Sequence, residues 1–514
     1  MKKNNNEIDV KSVDTPSLDV DKGEHFDFSL VHEKAAEDPN FQYLKNFDVE
    51  KYAHEDVTYK QVVKKLYKQF AWIMTIAYFL QFIDKVMLNY ARIMGLVIDL
   101  NLVGNQFSDL PTYFFVAYIF GEFFQSFLIQ RYPVTKVLGA NIVIWGILTG
   151  FCALTRNFAG ILTVRILLGL AESAVIPCMV LITTNFVDTK DTAFFTGIWY
   201  CGSGLGQIFG GLISYLFQLV SPTAPVAGWR IMFIVIGILN AIVGIYIYFF
   251  LPSTPLTNSK LTPKEKYVLL LHLNKAKIGI NEAKKFSLRQ LGEFFMDIQA
   301  WLFFFISATI SFSSNTISTF SSLDIMSFGF TSRQAALLNM PSGVVSIVSS
   351  IVSTYFIRKG FPRFLAISIL LVPAVCGGAL MSFLPKSNQA GLLIGIYMIN
   401  TVTAPLAICY AWAGANVAGS TKKIAFTALA ISGGFCVGNI TGPQSYRAHE
   451  APDYYSAKIS MLATQAVSIV LALIMAFIYY ARNKARSKYT EVETEEETWA
   501  DRTDFENKSF RYIY

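Results

Sequence analysis

The sequence predicts an all-α polytopic membrane protein, with twelve transmembrane helices arranged as two six-helix pseudo-repeats. Three observations predict it. Hydrophobic residues make up 53% of the 514 positions and charged residues only 15%, where soluble domains carry roughly a quarter; mean hydropathy is +0.42. Apolar runs, each near the ~20 residues a helix needs to cross a bilayer, recur from residue 70 to residue 481. Features of the first half also return in the second at a nearly constant offset.

The runs fall at 70–90, 109–130, 136–155, 159–182, 193–220, 229–251, 299–319, 335–357, 364–384, 389–415, 423–443 and 458–481. The 43 Phe and 25 Tyr suit lipid-facing helices and interfacial belts. Residues 1–69 form a polar N-terminal tail without an early apolar core. No signal peptide is therefore expected, and the first span serves as the insertion signal. Cys152, Cys178, Cys201, Cys376, Cys409 and Cys436 all lie inside spans. They read as small packing residues, not as a disulfide or metal framework.

The net charge of +7 sits at membrane edges and does not point to nucleic acid. Lys60, Lys64, Lys65 and Lys68 precede span one. Arg131 and Lys136 flank the 2–3 loop. Arg358, Lys359 and Arg363 fill the 8–9 loop, Lys422 and Lys423 the 10–11 loop, and Arg482, Lys484, Arg486 and Lys488 follow span twelve. The alternate loops are poor in basic residues. The excess of Lys and Arg on cytoplasmic loops then places both termini in the cytoplasm.

One long connection, 252–298, divides the spans six and six, giving halves at 70–251 and 299–481 and a C-terminal tail at 482–514. The connection is Lys-rich (Lys260, Lys264, Lys266, Lys275, Lys277, Lys284, Lys285) and is expected to be partly helical from LTPKEK. The halves repeat. RYPVTKVLG and RKGFPRFLA both place a basic residue, a second one five later and Leu two after that, at an offset of 227. Gly202, Gly206 and Gly210 of span five match Gly434, Gly438 and Gly442 of span eleven at an offset of 232. Small residues every fourth position line one helix face and let backbones approach. Parallel halves of this kind make the major facilitator fold, with the substrate site near the midplane between them.

Six ionisable residues lie within or at the edge of first-half spans: Asp84, Lys85, Arg92, Glu122, Arg165 and Glu172. The second half has none in the middle of an expected span. A central charge costs roughly 2.5–3.5 kcal/mol to insert, so Asp84, Lys85, Arg165 and Glu172 left unpaired would total on the order of 10 kcal/mol. Arg165, Gly169 and Glu172 follow i, i+4, i+7 and share a face. Arg165 and Glu172 stand about 10 Å apart along the axis, too far to pair directly. Their partners are expected on span one, in a single interhelical cluster of all four. Arg92 is expected at the outer interface, and Glu122 beside span four or eleven.

Second-half polarity is uncharged. Span seven reads ISATISFSSNTISTFSS around Asn315; span ten carries Asn400, Thr403, Tyr410, Trp412 and Asn416; span eleven carries Asn439 and Gln444. Asn315, Asn400, Tyr410 and Asn439 are the expected cavity-wall contributors from this half. No enzyme constellation is visible: the five histidines lie in tails and loops, with no phosphate-binding glycine loop and no zinc spacing. No cofactor is expected, and the protein is expected to act as a monomer.

FLQFIDKVMLNYARIMGL, VRILLGLAESAVIP, LPSTPLTNSKLTPKEK and the block from ANVAGSTKK through GNITGPQ to APDYY together resemble the fungal anion:cation symporter group of the major facilitator superfamily, the allantoate permease-like proteins. The resemblance covers about 70–480. It implies proton-coupled uptake of a small organic anion (allantoate, ureidosuccinate or a vitamin carboxylate) across the plasma membrane. It also implies proton-coupling roles for Asp84 and Glu172 and anion-binding roles for Lys85 and Arg165. Many relatives have Arg where this chain has Lys85, a point charge without the planar fork. A charge-balance switch follows as an expectation: protonating the acids frees the basic residues to attract an anion, so proton and substrate bind cooperatively. The rival readings are a non-transporting nutrient receptor and an uncoupled uniporter.

Overall fold

The computed structural model describes residues 39–48, 50–52, 54, 57–187, 189–220, 225–277, 287–488 and 502–514. Most of the N-terminal tail, Lys284 and Lys285 of the central connection, and 489–501 lie outside the described residues. The described chain is helical throughout its apolar part. Among the described residues, eleven helices are long and apolar enough to cross a membrane: Tyr59–Ile93, Gln106–Arg131, Val134–Cys152, Phe158–Phe186, Gly228–Phe250, Ile298–Ser327, Ser332–Ile357, Arg363–Phe383, Gln389–Asn416, Thr421–Ser445 and Tyr455–Arg486. These are spans one to four and six to twelve. Span five is divided at Cys201 into Thr189–Tyr200 and Gly202–Phe217, of 12 and 16 residues, each too short to cross alone. The break precedes Gly202, Gly204 and Gly206, residues with little helix propensity of their own.

Local chemistry starts several spans. Asn157 Oδ1 accepts from Gly160 N at 2.8 Å and opens span four; Asp297 accepts from Gln299 N at 3.2 Å and opens span seven. Each satisfies a backbone donor that the first turn leaves unpaired. Spans three and nine both begin directly after a proline, Pro133 (φ −56°, ψ 127°) and Pro362 (φ −59°, ψ 131°). The two basic loops of the internal repeat thus hand over to the following span in the same way, through a proline.

The glycine rows explain how each half closes. The row on span five faces span one: a methyl on Gly206 would lie 3.1 Å from Phe82 Cβ. The row on span eleven faces span seven, where a methyl on Gly438 would lie 2.8 Å from Phe312 N and collide with the Ala308 carbonyl. Corresponding helices of the two halves therefore make corresponding contacts. Between the halves, span one meets seven, span two meets eleven and span five meets eight. Phe120, Phe123, Phe127, Ile242, Phe249 and Phe477 stay exposed on the outside, which suits a lipid-facing surface.

The hydrogen bonds between the halves concentrate at the end of the bundle opposite the termini, here called the far end. Asn89 Nδ2 donates to Ser321 Oγ (3.0 Å), Ser108 Oγ to the Tyr446 carbonyl (3.1 Å), Thr112 Oγ1 to the Ile440 carbonyl (3.2 Å), and Gln444 Nε2 to Asp109 (3.1 Å).

At the terminal end the last residues pack on the second half. Trp412 Nε1 and Asn416 Nδ2 both donate to the Ile513 carbonyl at 2.9 Å, and Ile513 N donates to Asn416 Oδ1 at 2.6 Å. The Tyr514 carbonyl accepts from Arg363 N at 2.8 Å. The fully buried Lys422 ammonium meets Asp504 at 2.7 Å, Glu293 at 2.7 Å and Asp297 at 3.0 Å. Tyr512 donates to Asp504 at 2.7 Å; burial and then the Asp504 carboxylate push its phenol upward, so it remains a donor. Trp412 and Asn416, counted above with the polar set of span ten, thus grip the C-terminal segment.

Candidate functional site

The buried charges of the first half meet in its interior, but in a specific pairing. Arg165 Nη1 lies 3.2 Å from Asp84 Oδ2, with side chains 4% and 1% exposed. Thr149 of span three donates to Asp84 Oδ1 at 3.3 Å, and the Arg165 guanidinium stacks 5.6 Å from the Phe233 ring of span six. Arg165 Nε and Nη2 have no partner among the described residues.

Lys85 does not pair with its sequence neighbour. Its ammonium stands 3.9 Å from Glu172 Oε1, and Gln81 Nε2 donates to the same oxygen at 3.0 Å. Consecutive helix residues project about 100° apart, while i and i+4 share a face. Asp84 therefore points into spans three and four, whereas Gln81 and Lys85 reach Glu172 together. Glu172 is fully buried and its Oε2 has no partner among the described residues.

Lys85 is also the member of the set that reaches between the halves. Its side chain is 19% exposed. The ammonium lies 5.6 Å from the Phe115 ring of span two and 5.8 Å from the Phe435 ring of span eleven, within cation–π range of both. Close by on the same pair of spans, Ser432 Oγ contacts both oxygens of Glu122, at 2.7 and 2.9 Å. Ser432 ends a π-helical stretch, Phe426–Ser432, a local widening frequent at functional sites. Of the two neighbours expected for Glu122, its hydrogen bonds select span eleven.

The second-half candidates are tied to protein partners. Asn315 Nδ2 donates to the Asn439 carbonyl at 2.9 Å, and Asn439 Nδ2 to the Phe435 carbonyl at 2.7 Å. Asn400 accepts from Gln207 Nε2 across the halves at 2.9 Å. Tyr410 packs half-buried on the second-half core. The hydroxyls of span seven are largely engaged as well: Ser307 bonds the Ile431 carbonyl at 2.7 Å, Thr309 bonds Ser468 at 2.6 Å and Ser313 bonds Thr464 at 2.9 Å. Much of that polarity holds span seven to eleven and twelve.

Two features escaped sequence reasoning. Gln81 carries a readable signal, since it stands one turn before Lys85 in an otherwise apolar run. Asp324 was hidden because span seven was expected to end at 319. The helix continues to Ser327 and is stopped by Gly329 at φ +98°, so the second half does contain a fully buried carboxylate within a span.

The comparisons agree with this architecture. The Major Facilitator Superfamily model matches residues 74–443. The thiamine pathway transporter of Saccharomyces cerevisiae is 34% identical over 439 residues, 85% of this chain and 83% of that protein. The allantoate permease of the same yeast is 31% identical over 459 residues, covering 86% and 84%. A bacterial homolog of the human lysosomal transporter Spinster, inward-facing and unoccupied, shares the fold with a TM-score of 0.57 at 16% identity, covering 83% of this chain and 97% of that one. A twelve-span bundle of two like halves, matched along most of its length by fungal transporters, places this chain in the major facilitator superfamily, among the allantoate permease-like membrane transporters of fungi.

Proposed function

We propose that this transporter imports a small organic anion together with protons, by alternating access, with both termini in the cytoplasm of a fungal cell and the bundle in its plasma membrane. The observation that carries the reading is the unequal pairing of the four charges. Arg165 closes on Asp84 in a buried interior, while Lys85 is held loosely by Glu172 and faces the other half between two aromatic rings. With all four ionised, the set is neutral. Protonating Glu172 leaves Lys85 as a partly buried, uncompensated cation, and such a cation left alone costs several kcal/mol. A carboxylate arriving between the halves restores the balance. Anion and proton thus raise each other's affinity, which is the reciprocal linkage a symporter needs.

In this scheme Lys85 contacts the anion and Glu172 exchanges the proton. Asp84 is the second proton-coupling acid, and Arg165 acts through Asp84 from behind the cavity. Asn315, Asn400, Tyr410 and Asn439 form the opposing wall once the halves rearrange. The charge carried by allantoate, which one yeast relative's name says it transports, accords with an anionic substrate. Uptake of labelled allantoate and a panel of competing carboxylates in permease-deficient yeast tests the reading. Concentrative uptake that rises as external pH falls and collapses with a protonophore is expected. Uptake insensitive to the protonophore identifies an uncoupled uniporter, and no uptake of any carboxylate removes the anion assignment.

A further inference from the structure

Asp324 lies outside the charge set used above, and its surroundings point to a task of its own. It sits on span seven near the far end, wholly buried. Tyr446, from the link between spans eleven and twelve, donates to its Oδ2 at 2.6 Å, and Oδ1 has no partner among the described residues. Two cations bear on this carboxylate, Lys458 of span twelve and Arg92 of span one; neither closes to a contact ion pair. They belong to opposite halves. Arg92 reaches across the interface, 4.4 Å from the Phe107 ring of its own half and 5.5 Å from the Phe320 ring of the other, and donates to Tyr454 Oη at 3.4 Å. Tyr446 stacks on Phe320 at 4.0 Å, and its carbonyl accepts from Ser108 of the first half.

This arrangement joins the two halves around one acid. The groups facing Asp324 are Tyr446, Lys458 and Arg92, with Tyr454 acting through Arg92. With Asp324 ionised, the second half offers a negative charge to the first-half cation Arg92, and Tyr446 has an ionic acceptor, a stronger bond than a neutral one. With Asp324 protonated, the attraction is gone. Arg92 and Lys458 then repel across the interface in a medium that screens them poorly.

We propose that Asp324 is a further proton-binding residue, on the second half, whose ionised form latches the far end shut and whose protonation releases it. The proposal deepens the proton-coupled reading and rests on it for its role in transport. A proton arriving from the far side would open the route by which the anion enters, and its loss would close that route behind the substrate.

Ser322 offers a reporter. It is fully buried, its hydroxyl has no partner among the described residues, and its backbone N donates to Asn89 Oδ1 of the first half at 3.2 Å. In intact cells carrying Ser322→Cys, a membrane-impermeant maleimide is applied from outside. Labelling is read on the peptide by mass spectrometry and normalised at each pH to the exposed position Ser387→Cys. Labelling is expected to rise several-fold from pH 7.5 to 5.5, and Asp324→Asn is expected to make it high at both. Labelling of Asp324→Asn that stays low at pH 7.5 and rises with acid as in the parent overturns the proposal. If Asp324→Asn does not reach the membrane, Tyr446→Phe removes only the donated bond and should move the labelling transition to higher pH; an unmoved transition overturns the proposal. Glu172→Gln separates the two readings. Lost acid-stimulated uptake with a retained labelling transition supports both, whereas retained uptake with that transition sinks the Glu172 assignment and leaves the latch standing.

Discussion

Lys85 Nζ stands 3.9 Å from Glu172 Oε1, while the neighbouring acid Asp84 is taken by Arg165 at 3.2 Å. The acid adjacent to Lys85 in sequence is not its electrostatic partner. That relation decides which substitutions separate proton coupling from anion binding.

Glu172→Gln keeps a hydrogen-bonding side chain beside Gln81 and Lys85 but cannot release a proton. Anion binding to purified protein is expected to persist and to lose most of its dependence on pH, the remainder belonging to Asp84. Concentrative, acid-stimulated uptake should disappear while exchange of labelled for unlabelled substrate continues. Full acid-stimulated accumulation in this variant would exclude Glu172 as the coupling acid.

Lys85→Ala removes the cation that faces the other half. A hydrogen bond to a charged group contributes roughly 1.5–3 kcal/mol, so the equilibrium dissociation constant should weaken by about ten- to a hundred-fold. Lys85→Arg keeps the charge, adds a bidentate fork and should retain binding with altered preference among carboxylates. The sharper control is Lys85→Gln with Glu172→Gln, which removes the pair as a unit. Parental affinity in that double variant, measured by calorimetry, would show that Lys85 only neutralises Glu172.

Gly438 and Gly206, mid-row on their two faces, should differ in tolerance. A methyl on Gly438 meets backbone of span seven, which cannot yield without moving the helix, whereas one on Gly206 meets the Phe82 side chain at 3.1 Å. Gly438→Ala is expected to lower surface expression and melting temperature markedly, and Gly206→Ala much less. Equal melting temperatures for the two variants would contradict the close approach of spans seven and eleven.

Lys422→Met leaves Asp504, Asp297 and Glu293 around a vanished cation. Breaking a buried ion pair from one side destabilises by about 3–5 kcal/mol. The variant should melt well below the parent and expose the C-terminal segment to carboxypeptidase. Deleting 503–514 should also lower stability, since Trp412 and Asn416 then lose their partners. An unchanged melting temperature for both would show that the segment contributes nothing to the second half.

Much of the architecture was legible because it depends on local composition. Apolar runs set where the chain crosses the bilayer, glycines every fourth residue set where helices can touch, and prolines and caps set where several spans begin. The insertion cost of a charge made Asp84, Lys85, Arg165 and Glu172 conspicuous in any order of packing. What the sequence could not settle is which of them meet. That depends on how span one is rotated against span four, a property of the whole bundle. The same holds for Asp324, which lay past the expected end of an apolar run and became an interior residue only because its helix continues to Ser327. It holds also for Trp412 and Asn416, whose partners lie about a hundred residues away at the end of the chain. Helical periodicity fixes direction along one element, but partners across elements are chosen by packing, and packing exists only in the tertiary structure.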